Sequence, residues 1–252
     1  LTLCFDQIIN HATKYHWMFN EQITVPIVIR TPMGGGRGYG PTHSQTLESM
    51  LMSVPGLKIV APSIFHNPGK MLEQCVVNEK HPCLFIENKR LYPKELIHGD
   101  KYDNFDVIRT QGLSSFENIL LSLYPEERAD VLIITYGGMV ELAAECTYEV
   151  FMDEEILVNI LALGAVRPLA EDYIIEQAKI VGRVLVLEEG HRIGGWGAEV
   201  SSILHENIFS SLYKPVVRLG AEDCPIPSAM PIESEVLPTI KKLKKLIMTL
   251  VA

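Results

Sequence analysis

A single histidine, His43, follows a stretch in which five of the seven residues over 34–40 are glycine. Histidine changes charge near neutral pH, so it can accept or donate a proton during a reaction. Glycines allow a backbone to approach a bound ligand closely. The pattern predicts a ligand cleft with an acid–base residue at its edge, and a flexible surface loop would have the same composition.

Arg37 is the one charged residue within the glycine stretch. Its guanidinium could bind the carboxylate of a substrate, and a solvated loop arginine is an equally good interpretation. Two phosphate-binding motifs are absent here: no G-x-G-x-x-G can be placed in the stretch, and no Gly-Lys-Ser or Gly-Lys-Thr follows it. The stretch is therefore not a recognisable nucleotide-binding loop.

A second group of potentially reactive side chains follows a predicted buried strand in the C-terminal half. Its members are Glu188, Glu189, His191, Arg192 and Trp196. Two adjacent carboxylates at a strand end, followed by histidine and arginine, could form the edge of an active site. A structural role explains them as well, and we favour that interpretation.

A strand and a helix on either side of the glycines must position His43. The apolar, β-branched run over 25–29 predicts a buried strand that ends before Pro32. Pro41 and Thr42 indicate the start of a helix over 42–53, with Thr42 as its N-cap. The N-terminus of that helix would favour negative charge close to His43.

The rest of the chain alternates between strand and helix patterns, which predicts an α/β protein built from parallel β/α/β units. Strands are predicted over 57–61, 83–87, 131–135, 156–163, 184–187 and 216–219. Helices are predicted over 2–17, 67–79, 139–151 and 171–180, then from the glycines near 195 to about 209, and finally over 237–250. We predict two domains, 1–93 and 129–252, joined by a connection over 94–128 with a short strand at 119–123.

Composition excludes several classes of function. A net charge of −9 over 252 residues argues against nucleic-acid binding, which needs clustered lysine and arginine. Five cysteines without a C-x-x-C motif are typical of free thiols in a reducing compartment. No apolar run reaches the roughly 18 residues of a membrane span, and no signal peptide is visible. We expect a protein of the cytoplasm, or of the mitochondrial matrix in a eukaryote.

Three segments carry a family resemblance: GGGRGYGPTHSQ at 34–45, PGLKIVAPS at 55–63 and HPCLFIENKRLYP at 81–93. They resemble the beta subunit of the thiamine-diphosphate-dependent decarboxylase of 2-oxoacid dehydrogenase complexes, within the transketolase superfamily. The H-S-Q of residues 43–45 is the most specific part. The resemblance implies a partial pyrimidine-binding domain, incomplete at its N-terminus, followed by a transketolase-type C-terminal domain.

The resemblance implies roles for individual residues. His43 would face the thiamine ring, stabilise the intermediate left after decarboxylation, and assist acyl transfer to a lipoyl group. The neighbours expected near substrate or cofactor are Arg37, Gly38, Tyr39, Ser44 and Gln45. A potassium ion, held largely through backbone carbonyls, is implied at Ile27, Val76, Val77, Glu79 and His81. The second group would serve subunit contacts and docking.

Two family features have no match in this sequence. They are the glutamate that contacts the aminopyrimidine of the cofactor and the metal–diphosphate motif, which belongs to the alpha subunit. We therefore expect the chain to be inactive alone, with thiamine diphosphate and Mg²⁺ held mostly by an alpha subunit or a fused alpha half. A second beta subunit and a lipoyl acyltransferase core would complete the assembly. The alternatives are a carboligase like transketolase or deoxyxylulose-phosphate synthase, and a non-catalytic assembly module.

Overall fold

Two β-sheets organise the chain in a computed structural model that describes residues 1–111 and 116–252. The strands are β1 Val28–Met33, β2 Lys58–Val60, β3 Cys83–Asn88, β4 Lys101–Tyr102, β5 Phe105–Gln111, β6 Glu117–Ser122, β7 Val131–Tyr136, β8 Val158–Leu163, β9 Ala165–Arg167, β10 Val184–His191 and β11 Val217–Ala221. The α-helices are α1 Tyr15–Met18, α2 Pro68–Val77, α3 Met139–Glu154, α4 Glu171–Val181, α5 Trp196–Ile208, α6 Met230–Val236 and α7 Ile240–Val251.

The first sheet has the strand order β1-β3-β2-β9. Strands β1, β3 and β2 are parallel, as the predicted β/α/β units require. Strand β9 comes from the second half of the chain and pairs antiparallel with β2, with Val60 opposite Ala165. The C-terminal half is therefore hydrogen-bonded into the N-terminal sheet.

The second sheet has the order β11-β10-β7-β8-β6-β5-β4. Its first four strands are parallel, and the remaining three are antiparallel additions at one side. All three additions lie within 94–128, so this connection contributes to the second sheet as well as joining the two halves. The strand predicted at 119–123 is observed as β6.

Hydrophobic side chains from both sheets form one continuous cluster. From the first sheet, Ile59 and Leu84 are completely buried in it. Leu132 and Ile134 of the second sheet are equally buried in the same cluster. Each side chain of this size stabilises the fold by about 2 kcal/mol on burial. The shared core fixes the end of β1 relative to the end of β10.

The prediction that Pro32 ends the first strand is wrong. Strand β1 spans residues 28–33 and includes Pro32 opposite Glu87. Within the described residues β1 pairs only with β3, so one side of the strand needs no backbone donor. A proline is tolerated in such an edge strand because its missing N–H breaks no ladder bond there.

The predicted helix over 42–53 is also wrong. Residues 41–44 form a turn, and a single 3₁₀ turn at Glu48–Leu51 is the only helical element of this segment. Tertiary contacts outweigh the local signal: the Tyr136 hydroxyl donates to Glu48, and the Leu47 N–H lies 3.5 Å from the Met33 sulfur. His43 is therefore on a turn and not at a helix N-terminus.

The two terminal helices differ from the prediction in regularity. At the N-terminus a 3₁₀ turn at Thr2–Cys4 and a π-helical turn at Gln7–Ala12 precede the short α1. At the C-terminus the helix predicted over 237–250 begins at Ile240, and the separate helix α6 precedes it. The two helices are separated because Leu237, which precedes Pro238, has an extended backbone, as residues before proline prefer.

Two further sequence expectations concern thiols and membranes. All five cysteines are free thiols, of which Cys75, Cys83 and Cys146 are buried. Among the described residues, no helix combines the length and apolar character needed to cross a bilayer.

Candidate active site

The glycine stretch after β1 folds into an irregular loop, here called the glycine loop (residues 34–40). Four of its glycines have positive φ: Gly34 at 97°, Gly36 at 76°, Gly38 at 68° and Gly40 at 77°. Only glycine adopts this region without strain, which explains why the loop needs so many. Alternation between positive and negative φ turns successive N–H groups to one side, a geometry that commonly binds anions.

Two carboxylates of the C-terminal half accept those N–H groups. On helix α6, Glu233 accepts the N–H of Gly36 at Oε1 (3.0 Å) and that of Gly38 at Oε2 (2.8 Å). At the end of β10, Glu189 accepts the N–H of Gly35 at 2.7 Å. Glu233 and Glu189 are only 2% and 4% exposed. The anion-binding geometry of the loop is thus filled by the protein's own side chains.

His43 is exposed, directly after the glycine loop. The N–H groups of His43 and Ser44 both donate to the carbonyl of Gly40, at 3.3 and 2.9 Å, which closes a tight turn. The ammonium group of Lys89 donates to the backbone carbonyl of His43. These bonds fix the backbone of His43 and leave its imidazole open to solvent.

Arg37 and Tyr39 lie beside the same lysine. The Arg37 guanidinium lies 5.0 Å from the centre of the Tyr39 ring, and the Lys89 ammonium lies 5.8 Å from it. Arg37 also donates to the backbone carbonyl of Lys89 at 3.3 Å. The pKa of Lys89 is lowered, chiefly by partial burial and also by the charge of Arg37. The Glu189 carboxylate offsets part of this shift. Arg37, Tyr39, His43 and Lys89 are called the cationic rim below.

The structure brings three predicted residues, Arg37, Tyr39 and His43, into this rim and separates two others from it. The Ser44 side chain is buried, and its hydroxyl has no partner among the described residues. The Gln45 amide donates to the Thr42 carbonyl at 3.2 Å, a local loop contact. Gly38 contributes its N–H to Glu233.

Buried carboxylates stand behind the glycine loop. The Tyr136 hydroxyl donates to Glu48 Oε1 at 2.5 Å, and both side chains are buried. Burial raises the pKa of Glu48 and raises that of Tyr136 well above its usual value. Burial also raises the pKa of Glu188 to about 8 and that of Glu189 to about 7. Burial therefore favours the protonated forms of these groups.

The predicted role of the second group in subunit contacts is wrong for its buried members. Glu188, Glu189 and Trp196 are 0%, 4% and 0% exposed within this one chain. Glu188 accepts the N–H of Gly197 at 3.1 Å, and the Trp196 indole donates to the Val166 carbonyl at 3.3 Å. Glu189 is buried against the glycine loop through its bond to Gly35, whereas Glu188 and Trp196 are buried by contacts within the C-terminal half.

Sequence reasoning missed Lys89, Glu233 and Glu48. The available signal for Lys89 was its positive charge just after the strand predicted over 83–87, since the carboxyl ends of parallel strands often border ligand-binding sites. No local pattern indicates Glu233, whose partners lie almost 200 residues earlier in the chain.

The residues implied for potassium lie at the other end of the first sheet. The Ile27 carbonyl accepts the N–H of Cys83 at 2.9 Å, which brings the start of β1 beside the loop before β3. Val76 and Val77 end helix α2, and Glu79 is paired with Lys58. Burial lowers the pKa of His81, the fifth of these residues. Among the described residues no cluster of three or more His, Cys, Asp or Glu side chains could hold a metal, and a site made of carbonyls stays a prediction.

Two family models define the class of protein. The pyrimidine-binding domain of transketolase matches residues 2–95, and the C-terminal domain of transketolase matches residues 123–243. A solved split-gene transketolase, described as an inactive beta4 tetramer, aligns with a TM-score of 0.66. That alignment covers 90% of this chain and 68% of the other at 18% identity, which shows the shared fold. The predicted fold class is confirmed.

Curated relatives narrow the class. The pyruvate dehydrogenase E1 component subunit beta of Rickettsia felis is 31% identical, over 94% of this chain and 71% of that protein. The 2-oxoisovalerate dehydrogenase subunit beta of Bacillus subtilis is 34% identical, over 94% and 66%. A mitochondrial pyruvate dehydrogenase beta subunit of Arabidopsis thaliana is 33% identical, over 94% and 62%. The chain belongs to this family of 2-oxoacid dehydrogenase beta subunits, which confirms the resemblance.

Proposed function

We propose that this chain is the beta-subunit part of a decarboxylase that oxidises a 2-oxoacid and passes the acyl group to a lipoyl domain. The observation that carries the proposal is the cationic rim. It presents two exposed side chains, the imidazole of His43 and the guanidinium of Arg37, on a segment whose backbone is held by Glu233 and Lys89. The names of the relatives support the same activity.

The residues present fit one side of a shared cofactor site. The amides of Gly36 and Gly38, which could otherwise bind a phosphate, already donate to Glu233. The diphosphate and Mg²⁺ would therefore be held by an alpha subunit, while the cationic rim stays open toward the cofactor. When bound, thiamine diphosphate supplies the electron sink for loss of CO₂ from a 2-oxoacid.

Each rim residue has a distinct task in this proposal. His43 holds or delivers a proton at its imidazole beside the reacting carbon. Arg37 attracts the carboxylate of the 2-oxoacid through its fixed charge. Lys89 keeps the His43 backbone in place through its bond to the carbonyl, and its charge adds to the attraction of Arg37.

The proposal includes partners and location. The chain is inactive alone, and it acts with an alpha subunit or fused alpha half, a second beta subunit and a lipoyl acyltransferase core. Potassium at Ile27, Val76, Val77, Glu79 and His81 remains part of the proposal. The assembly would work in the cytoplasm, or in the mitochondrial matrix of a eukaryote.

The test is reconstitution of the complete protein with candidate alpha subunits. Dye reduction that depends on a 2-oxoacid, thiamine diphosphate and magnesium is expected. The His43→Ala variant should lose about a hundredfold or more in turnover, the usual contribution of a positioned acid–base group. Its thermal midpoint should not change, because the imidazole is exposed.

The matched control is His98→Ala, which removes another exposed imidazole far from the glycine loop in sequence. It should retain full turnover. Full turnover of His43→Ala would remove His43 from the mechanism. Absence of 2-oxoacid oxidation with every partner would overturn the decarboxylase proposal, and carbon–carbon ligation of sugar phosphates would favour the carboligase alternative.

A further inference from the structure

The side chain of Glu233 joins helix α6 to the glycine loop through two hydrogen bonds, one to each of its carboxylate oxygens. Oε1 accepts the N–H of Gly36 at 3.0 Å, and Oε2 accepts the N–H of Gly38 at 2.8 Å. The residue is 2% exposed, and it forms no ion pair within the described residues. The two loop amides are therefore what satisfies this buried carboxylate, and an unsatisfied one would be costly.

Arg37 lies between the two amides that Glu233 accepts. Its backbone is consequently fixed on both sides, while its side chain remains exposed in the cationic rim. Glu233 itself is buried behind the loop and does not belong to the exposed face. Glu233 can therefore affect a substrate through the loop that carries Arg37 and Tyr39.

Contacts from the residues on either side of α6 leave the loop little room to move. A Cβ added to Gly35 would meet the Leu237 side chain at 2.7 Å, and one added to Gly38 would meet the Ser228 carbonyl at 2.9 Å. Leu237 in turn is buried in a small hydrophobic cluster with Ile226. The loop conformation thus depends on the C-terminal half of the chain.

We propose that Glu233 is a positioning residue: it holds the glycine loop so that Arg37 can bind the carboxylate of the 2-oxoacid. This inference rests on the proposed function. It assigns to a buried residue of the C-terminal domain a part in substrate binding. The effect should therefore be seen in the KM for the 2-oxoacid more than in kcat.

The test uses the isosteric variant Glu233→Gln in the reconstituted protein. Glutamine keeps one acceptor oxygen and places an NH₂ group against the second amide, so one of the two bonds is lost. Amide hydrogen exchange at Gly36 or Gly38 should accelerate about tenfold or more, as expected for a bond to a charged acceptor. The KM for the 2-oxoacid should rise about tenfold. The matched control is Glu235→Gln, an exposed glutamate on the same helix, which should change neither quantity.

A double-variant cycle separates positioning from general destabilisation. If Glu233 acts through Arg37, then Glu233→Gln should add little to the KM increase of Arg37→Gln. Unchanged exchange at both glycines would overturn the proposal, and so would faster exchange with an unchanged KM or fully additive effects. If the wild-type assembly oxidises no 2-oxoacid, the proposed function fails, whereas the exchange data still decide whether Glu233 holds the loop.

Discussion

Glu48 is completely buried, and its side chain accepts a hydrogen bond from the hydroxyl of Tyr136. Within the part of the chain that the structure describes, it forms no ion pair. Glu233 and Glu189 are also bonded to uncharged donors, in their case backbone N–H groups of the glycine loop. Bonds of this kind stabilise a buried carboxyl only while its donor is present, because losing the donor leaves the full desolvation cost. The donors are therefore as important as the carboxyls.

The first prediction follows for Tyr136. Replacing it by phenylalanine removes one oxygen atom, and with it the hydroxyl that donates to Glu48 Oε1. We expect Tyr136→Phe to lower the free energy of unfolding by about 1–3 kcal/mol, as for other buried polar groups that lose a partner. Urea unfolding measures the change, with Tyr148→Phe at an exposed tyrosine as the control. A loss below about 0.5 kcal/mol, the range of ordinary surface substitutions, would contradict the argument.

At the residue scale, the sequence predicts groupings of residues that are close together in the chain, but not contacts between residues that are far apart in it. Arg37, Tyr39 and His43 are found together because they are close in sequence on one constrained loop. Glu48 and Glu233 could not be predicted, because their partners are 88 and about 195 residues away. No propensity or motif encodes a contact at that separation.

At the scale of elements, β7, β8 and β10 are predicted well because their apolar runs are long and β-branched. Helix α2 is predicted equally well, since Asn67 caps it by accepting the N–H of Lys70 at 3.0 Å. The similar run over 25–29 is predicted less well, since only Val28 and Ile29 lie in a strand and both are only half-buried. The segment over 42–53 is the informative failure. Pro41 and Thr42 are typical of a helix start, but the backbone after them follows a non-helical course that buries Glu48 beside Tyr136.

The glycine loop is the element that gives the second prediction. Gly38 has a φ of 68°, and a Cβ there would lie 2.9 Å from the Ser228 carbonyl and 3.1 Å from the Met230 side chain. Gly194 has a similar φ of 64°, but a Cβ there would meet nothing within 4 Å. Alanine introduces the left-handed strain at both positions, whereas only Gly38 adds a collision with backbone.

We therefore expect Gly38→Ala to cost at least about 1 kcal/mol more in unfolding free energy than Gly194→Ala. Chemical denaturation of both variants under one set of conditions measures the difference. Equal costs would mean that the loop and α6 can separate without penalty, contrary to the contacts described above.

At the scale of the whole molecule, the two halves are joined by a shared hydrophobic cluster, by β9, and by buried carboxyl groups at their junction. The fold class could be predicted from the alternation of strand and helix patterns, and the family from the resemblance of three segments, 34–45, 55–63 and 81–93. The junction could not, since it depends on distant contacts such as the bonds of Glu189 with Gly35 and Asn88, and the neighbouring Glu188 is buried as well. Their environment gives the junction a dependence on pH.

The third prediction concerns that dependence. Burial raises the pKa of Glu188 to about 8 and that of Glu189 to about 7, against an ordinary value of 4.5. Because the folded state binds these protons more tightly than the unfolded state, their contribution to stability is complete below about pH 4.5. It declines as pH rises and is lost above about pH 8. Between pH 6 and 9 we expect the free energy of unfolding to fall by about 4 kcal/mol, of which Glu188 contributes about two thirds.

Replacing the Glu188 carboxyl by a neutral amide should remove the part of the fall in unfolding free energy that is due to titration of Glu188. The Glu188→Gln variant resembles the protonated carboxyl and keeps an acceptor for the N–H of Gly197. Urea unfolding at several pH values should give a shallower slope for this variant, whereas Glu126→Gln at an exposed position should keep the wild-type slope. Identical slopes for Glu188→Gln and wild type would mean that Glu188 is ionised throughout, and the junction would then need a cation to balance its charge.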